Sequence, residues 1–130
     1  MIIVHAVAGI LQKEEKLLVA ERPSGKPYAG YWEFPGGKIE KNETGEQAVK
    51  RELHEELGII VLSAQFLFTH HYVYPDKKVE LEIWLVTQLQ GQPHGKENQQ
   101  LCWASLQEMK ALNLLEGNWP ILEKLKRILF

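Results

Sequence analysis

Two long β-rich segments joined by a tight turn place the strongest constraint on the fold of this chain. Residues 59–74 and 78–90 are rich in β-branched and aromatic side chains, and the turn sequence YPDK lies between them. Along the second segment, apolar residues alternate with Glu80, Glu82 and Trp84, a pattern that buries one face of a strand. The two segments therefore predict an antiparallel hairpin.

Helix signals surround this hairpin. Thr44 and Gln47 form the pattern of a capping box, and Gly58 stands where a helix often ends in a left-handed residue. The final segment WPILEKLKRILF repeats apolar residues at helical spacing, which predicts an amphipathic helix. Ser105 and Glu108 predict the start of a short helix before it.

The N-terminal part is β-rich. Residues 1–11 and 16–22 are joined by QKEE, which predicts a hairpin or paired strands, and residues 31–34 predict a short strand ended by Pro35-Gly36-Gly37. Strands and helices interleave without the regular spacing of a doubly wound sheet. We expect an α+β sandwich, with helices packed on mixed sheets.

Length and composition limit the class of protein. The chain has 130 residues without repeats or linkers, which favours one domain. A net charge of −2 gives no basic surface for direct nucleic-acid or membrane binding. Cys102 is the only cysteine, and the apolar N-terminal segment lacks a cationic leader region and is too short to span a bilayer. We therefore expect a cytoplasmic protein.

Three glutamates crowd the predicted helix around Arg51. At ~100° per residue, Glu52, Glu55 and Glu56 fall within an arc of roughly 100° that borders the apolar stripe. They could form a solvated acidic face with an ordinary Arg51–Glu55 salt bridge. They could equally hold a hard cation such as Mg²⁺ or Mn²⁺, whose charge would offset their repulsion. The residues alone leave both interpretations open.

Two glycines precede this helix. Gly36 and Gly37 permit unusual backbone geometry and the close approach of a ligand. The sequence GGK is similar to part of a phosphate loop, but Trp32 and Ile39 occupy positions where a Walker motif needs glycine and serine or threonine. A phosphate loop of that type is excluded.

The same stretch resembles a complete Nudix box. Gly37 is followed after five residues by Glu43 and, after seven more, by RELHEELGI at 51–59, which fills every defined position of the 23-residue signature. WEFPGGKIE and NWPILEKLKR also resemble the MutT-type nucleoside triphosphate pyrophosphohydrolases, so the resemblance covers nearly the whole chain.

The resemblance implies a Nudix α/β/α sandwich with a mixed sheet over residues 1–130. It also implies a metal-dependent hydrolase that converts 8-oxo-dGTP or 8-oxo-GTP to the monophosphate and pyrophosphate and so sanitises the nucleotide pool. We expect a monomer whose partner is a nucleoside triphosphate and whose cofactor is Mg²⁺, with Mn²⁺ as a substitute.

Site residues follow from the resemblance by position. Arg51 would orient the glutamates, and Glu52 is the expected general base, with Glu97 as its rival. By sequence alone Glu97 is also compatible with a solvated loop acid. The implied metal ligands share an oxygen donor: the Gly36 carbonyl, Glu52, Glu55, Glu56 and Glu97.

For the nucleobase, Asn118 matches an asparagine that reads oxidised guanine in MutT-type enzymes. Oxidation at C8 turns N7 from an acceptor into a donor, which an amide oxygen can accept. From the residues alone, Asn118 is also a good cap for the helix that begins at Trp119. Phe34 is expected either to stack on the base or to lie in the core. The remaining expected substrate contacts are Arg22, Gly37, Lys38 and Asp76.

Two other functions stay open. The segment RPSGKPYAGYWEF also resembles relatives that hydrolyse CTP or dCTP, and a non-catalytic nucleotide-binding Nudix module is a further alternative. Such modules often lose glutamates of the box, whereas this chain keeps them all.

Overall fold

The computed structural model describes residues 1–130, which form two small sheets and three helices. The strands are β1 (Ile2–Ile10), β2 (Gln12–Lys13), β3 (Lys16–Glu21), β4 (Trp32–Glu33), β5 (Gly36–Lys38), β6 (Ile60–Val73), β7 (Lys77–Gln90) and β8 (Leu101–Ser105). The helices are α1 (Gly45–Leu57), α2 (Leu106–Met109) and α3 (Asn118–Leu129). No helix combines the length and apolar character needed to cross a membrane.

The long hairpin is confirmed and builds the first sheet. Strands β6 and β7 pair antiparallel over almost their whole length, and the sheet runs in the order β5-β1-β7-β6. Strand β1 lies parallel to β7, with Ala8 opposite Ile83. The sheet is therefore mixed, as expected.

The predicted pairing of residues 1–11 with residues 16–22 is wrong except at Leu11, whose carbonyl accepts from the Leu18 N–H at 3.1 Å. Strand β1 pairs with β5 and β7, whereas β2, which lies within QKEE, pairs with β3 in the second sheet. Strand β3 also pairs with β4 and β8. Leu11, which is buried, lies between β1 and β2, where the chain crosses from the first sheet to the second. The apolar stretch at residues 1–11 therefore does not continue into one hairpin.

The two glycines are not a flexible loop. Gly36 and Gly37 begin β5 and pair with β1, and neither has a left-handed φ. A side chain at Gly36 would overlap the Val7 carbonyl, and one at Gly37 would overlap the Glu52 carboxylate. The glycines therefore adopt no left-handed backbone geometry, and they are needed because the chain approaches itself closely.

Helix α1 begins and ends as predicted. The Thr44 hydroxyl accepts from the Gln47 N–H, the Gln47 side chain accepts from the Thr44 N–H, and Gly58 closes the helix with a φ of 69°. This double cap satisfies exposed backbone groups at the N-terminus. The helix that carries the glutamates is therefore fixed at both ends.

Two apolar clusters make the molecule a three-layer sandwich. The buried face of α1 packs with Val7 and Leu18 in one cluster, while the buried face of α3 packs with Ala8 and Val19 in the other. Neighbouring residues of β1 and β3 thus face opposite clusters, as side chains of a strand must. The α/β/α sandwich in one domain is confirmed.

Candidate active site

Arg51 lies at the centre of the acidic helix. Its Nε donates to Glu43 at 2.7 Å, one terminal nitrogen donates to Glu52 at 2.8 Å, and the other donates to the Lys38 carbonyl at 3.0 Å. Hydrogen bonds from Arg51 lower the pKa of Glu43 to about 2. The Arg51–Glu55 contact is longer, at 3.5 Å, and Glu55 is 53% exposed. An ordinary Arg51–Glu55 salt bridge therefore does not account for the cluster.

Two glutamates of α1 have raised pKa values. Burial raises the pKa of Glu52 even though Arg51 binds it. Burial, followed by the charges of Glu52 and Glu97, raises the pKa of Glu56 to about 8. The Gly36 N–H donates to Glu56 Oε2 at 3.2 Å. A positive ion in this place would favour the charged form of both carboxylates and offset the repulsion among them.

Glu97 reaches the same place from a distant loop. It lines an acidic cleft together with Gly36, Glu56, Arg22 and Glu33. Although its residue is exposed, its charge raises the pKa of both Glu52 and Glu56. The structure thus places Glu97 beside the box helix.

The donor set suits a hard divalent cation, although the carboxylates are not drawn together around one point. No three acidic, histidine or cysteine side chains converge closely enough to bind a single ion. Glu52 is turned towards Arg51 and Glu55 towards solvent. The oxygen donors and the excess negative charge around Glu56 nevertheless fit Mg²⁺ or Mn²⁺, which accept oxygen ligands and water.

A cavity of about 500 Å³ lies on the other side of Arg22 and Glu33. Its walls combine aromatic and aliphatic groups with a few polar ones, the composition of a small-molecule site. The lining consists of Arg22, Pro27, Tyr28, Tyr31, Glu33, Tyr72, Tyr74, Val79, Leu81, Leu115, Glu116, Gly117 and Asn118.

Asn118 lines this cavity and does not cap α3. The N-cap is Gly117, and no side chain makes a capping hydrogen bond there. Instead, Asn118 Oδ1 accepts from the Phe34 N–H at 3.3 Å. The capping interpretation is wrong, and the carboxamide is held at the cavity wall by a residue 84 positions away.

Phe34 is a core residue. Its side chain is 4% exposed and packs in the cluster under α3. The ring therefore offers no face for stacking on a base, and the core alternative holds. Only the backbone N–H of Phe34 bears on the site, through Asn118.

Two other expected contacts lie apart from the cavity. Asp76 is exposed in the turn between β6 and β7, whereas Tyr74 and Val79 of the same hairpin line the cavity. Lys38 is exposed in β5 and contributes its carbonyl to Arg51. Neither side chain contributes to the cavity wall or to the acidic cleft.

Glu33 is a site residue that the sequence analysis missed. Arg22 donates to both Glu33 carboxylate oxygens, at 2.9 and 3.2 Å, and to the Pro27 carbonyl at 2.6 Å. Burial raises the pKa of Glu33 despite Arg22. Because both side chains line the cavity and the cleft, they form the wall between the two. In the sequence, the feature that could have indicated this role is a charged residue inside the short predicted strand, residues 31–34.

The chain is similar to known proteins over most of its length. The NUDIX domain model matches residues 3–125. The 8-oxo-dGTP diphosphatase of Escherichia coli is 40% identical over 95% of both chains, and the CTP pyrophosphohydrolase of the same organism is 36% identical over 95% of this chain and 91% of its own length. A structure reported in an analysis of MutT from Aliivibrio salmonicida and Vibrio cholerae superposes with a TM-score of 0.79, at 37% identity, covering 94% of this chain and 95% of the other.

Proposed function

This chain belongs to the NUDIX family, and on that premise we propose that it is a metal-dependent nucleoside triphosphate pyrophosphohydrolase that acts on 8-oxo-dGTP and 8-oxo-GTP. One observation carries the proposal: the Arg22–Glu33 wall separates a cavity of nucleobase size from an acidic cleft. A nucleotide with its base in the cavity would extend its phosphates past Arg22 into the cleft. Both regions come from one chain, so a monomer suffices.

The cleft supplies the hydrolytic groups. Glu52, Glu55, Glu56, Glu97 and the Gly36 carbonyl would hold Mg²⁺, for which Mn²⁺ can substitute. When bound, the cation neutralises phosphate oxygens and lowers the pKa of coordinated water.

Glu52 is the proposed general base, with Glu97 as the alternative. It would accept a proton from the water that attacks the β-phosphorus. The new bond joins the water oxygen to that phosphorus, and the bond to the α-phosphate oxygen breaks. The monophosphate leaves and pyrophosphate remains. Arg51 positions Glu52 through the 2.8 Å hydrogen bond.

The cavity supplies selectivity. One lone pair of Asn118 Oδ1 is engaged by Phe34, which leaves a second lone pair and two amide hydrogens for the base. Oxidised guanine offers an N7–H to the oxygen, whereas ordinary guanine places an unpaired acceptor there. A buried acceptor without a partner costs about 1–3 kcal/mol. The proposed role in the precursor pool would place the protein in the cytoplasm.

Hydrolysis of CTP or dCTP is the second candidate, because the E. coli CTP pyrophosphohydrolase is similar over nearly the same span. The two candidates share the cleft and differ only in what the cavity accepts. A higher kcat/KM for dCTP or CTP than for 8-oxo-dGTP would favour the second.

The test is a nucleotide panel with Mg²⁺, in which kcat/KM is measured for the wild type and for Asn118→Ala. We expect a loss of about 10–100-fold for the oxidised substrate, the factor that corresponds to the cost of one unmade buried hydrogen bond, and a smaller loss for dGTP. Asn113→Ala is the matched control, since Asn113 is exposed and outside the cavity. Equal losses on all substrates would remove Asn118 from base selection.

The bond that breaks can be tested separately. Hydrolysis of 8-oxo-dGTP in ¹⁸O-labelled water should place the label in pyrophosphate. Label in the monophosphate would mean attack at the α-phosphorus and would contradict the proposed chemistry.

A further inference from the structure

The loop that carries Glu97 is fastened to the end of the catalytic helix. This loop, residues 91–100, connects β7 to β8. Its His94 N–H donates to the Leu57 carbonyl at 3.0 Å, and its Lys96 N–H donates to the Glu56 carbonyl at 3.1 Å. Carbonyls in the last turn of a helix have no partner within the helix. The loop satisfies two of them and is thereby tied to the backbone of Glu56.

The Gln99 side chain adds a third connection between the loop and α1, and it also binds the backbone of Glu97. Gln99 Nε2 donates to the Glu56 carbonyl at 3.1 Å, and Gln99 Oε1 accepts from the Glu97 N–H at 2.9 Å. The two partners fix the orientation of the amide, because a carbonyl requires a donor and an N–H requires an acceptor. Asn98 between them has a left-handed φ of 63°, which turns the chain back so that both bonds form.

We propose that Gln99 is a positioning residue that holds Glu97 in the acidic cleft beside Glu56. The Glu97 side chain makes no ion pair and no hydrogen bond with its carboxylate. Its position therefore depends on its backbone, and Gln99 binds that backbone. Gln99 itself lines the cleft with Gly36 and Glu56.

The chemistry explains why glutamine suits this position. Methionine has similar length but provides neither the donor nor the acceptor. Glutamate keeps the acceptor for the Glu97 N–H but loses the donor, and its charge would face the Glu56 carbonyl and add to the negative charge of the cleft. Methionine therefore releases both the Glu97 N–H and the Glu56 carbonyl, whereas glutamate releases only the Glu56 carbonyl.

The first test needs neither metal nor nucleotide. Hydrogen exchange of the Glu97 amide in the full chain should be faster in Gln99→Met than in the wild type. In Gln99→Glu, which keeps an oxygen acceptor for the Glu97 N–H, it should be slower than in Gln99→Met. Gln100→Met is the matched control, because Gln100 is the exposed neighbour and its side chain makes no hydrogen bond. Unchanged exchange of the Glu97 amide in Gln99→Met would contradict the proposal that Gln99 holds the Glu97 backbone.

The second test asks whether Gln99 acts through Glu97. Affinity for Mn²⁺, measured by titration without nucleotide, should fall by about 10–100-fold in Gln99→Met, as for other residues that support a metal ligand. In a Glu97→Gln background, Gln99→Met should cause no further loss, within about twofold. Independent losses that multiply would show that Gln99 does not act through Glu97.

The same four proteins are then assayed for hydrolysis of 8-oxo-dGTP with Mg²⁺. The effect of Gln99 on catalysis rests on the proposed function. We expect kcat to show the same pattern as Mn²⁺ affinity: a loss in Gln99→Met, and no further loss when Gln99→Met is added to Glu97→Gln. If the two substitutions are non-additive in Mn²⁺ affinity but no nucleotide is hydrolysed, the proposed function is contradicted and the positioning role of Gln99 is supported. If a nucleotide is hydrolysed but the two losses of Mn²⁺ affinity multiply, the proposed function is supported and the positioning role of Gln99 is overturned. Should Gln99→Met fail to fold by circular dichroism, Gln99→Leu, which also lacks the donor and the acceptor, replaces it in the same cycle.

Discussion

The acidic cleft and the aromatic cavity share one wall but are built in different ways. Apart from Glu97, the proposed metal ligands lie within residues 36–56, on one short strand and on the capped helix that carries Arg51. The cavity collects side chains from three separate parts of the chain, between Arg22 and Asn118. Chemistry that needs fixed spacing between carboxylates can be encoded locally, whereas recognition of a base needs walls on several sides. The cleft should therefore control the rate for every nucleotide, and the cavity should control which nucleotide is preferred.

The largest expected effect is on the cleft. Glu52→Gln removes the proposed base and a metal ligand, and we expect kcat to fall by about 10²–10⁴-fold for every nucleotide. The ratio of kcat/KM between 8-oxo-dGTP and dGTP should stay unchanged. Glu46→Gln, an exposed acid on the same helix, is the control and should retain its rate. A changed ratio in Glu52→Gln would break the division between the two regions.

The adjacent glycines should differ in how strongly they affect stability. A Cβ at Gly37 would displace the Glu52 side chain, which can move, whereas a Cβ at Gly36 would meet the Val7 carbonyl, which cannot. We expect Gly37→Ala to lower kcat by up to about 10²-fold through misplacement of Glu52. Gly36→Ala should in addition cost about 1–3 kcal/mol of unfolding free energy, because its Cβ meets backbone atoms. Urea denaturation and steady-state kinetics on both variants check this, and a larger loss of stability in Gly37→Ala than in Gly36→Ala would refute it.

The charge of the cleft should make stability depend on pH and on Mg²⁺. The pKa of Glu56 is about 8 in the folded protein against 4.5 for an ordinary glutamate. Between these values the folded state holds an extra proton, so without divalent cations the unfolding free energy should fall as pH rises from about 4.5 to about 8. Mg²⁺ should stabilise the protein more at pH 8 than at pH 5.5. Glu56→Gln should flatten the pH dependence, and an unchanged slope would contradict the assignment.

The smallest expected effect concerns the support of the cleft. Thr44→Ala removes one cap of α1 and should cost about 1 kcal/mol of unfolding free energy, with a modest loss of Mn²⁺ affinity. Ser105→Ala removes the equivalent cap of α2, which lies in another part of the fold. Thermal unfolding and Mn²⁺ titration should show that only the α1 variant changes metal binding.

Local patterns predicted the elements well. The capping box of Thr44, the end of α1 at Gly58 and the long hairpin all depend on residues close in sequence, and all three are confirmed. The sequence could not reveal that β1 joins β7, because that pairing links residues more than 70 positions apart and leaves no periodic trace. The same limitation hid the change of sheet at Leu11.

The site divides in the same way. The glutamates on α1 were found from spacing and from the resemblance, since they lie within one turn and a half of helix. Asn118 was identified from the resemblance, but only the folded chain shows that Phe34 binds it through the backbone and that capping is excluded. Glu33 was missed because its importance arises from pairing with Arg22 across a bend of the chain.

The central claim is that hydrolysis and base selection are carried by separate regions. Glu52 and Asn118 share no hydrogen-bond partner, so their effects on transition-state free energy should add. The decisive measurement is kcat/KM for 8-oxo-dGTP in the wild type, Glu52→Gln, Asn118→Ala and the double variant. The account predicts that the double variant shows the product of the two single losses, within about twofold. A double variant no worse than Glu52→Gln alone would contradict it.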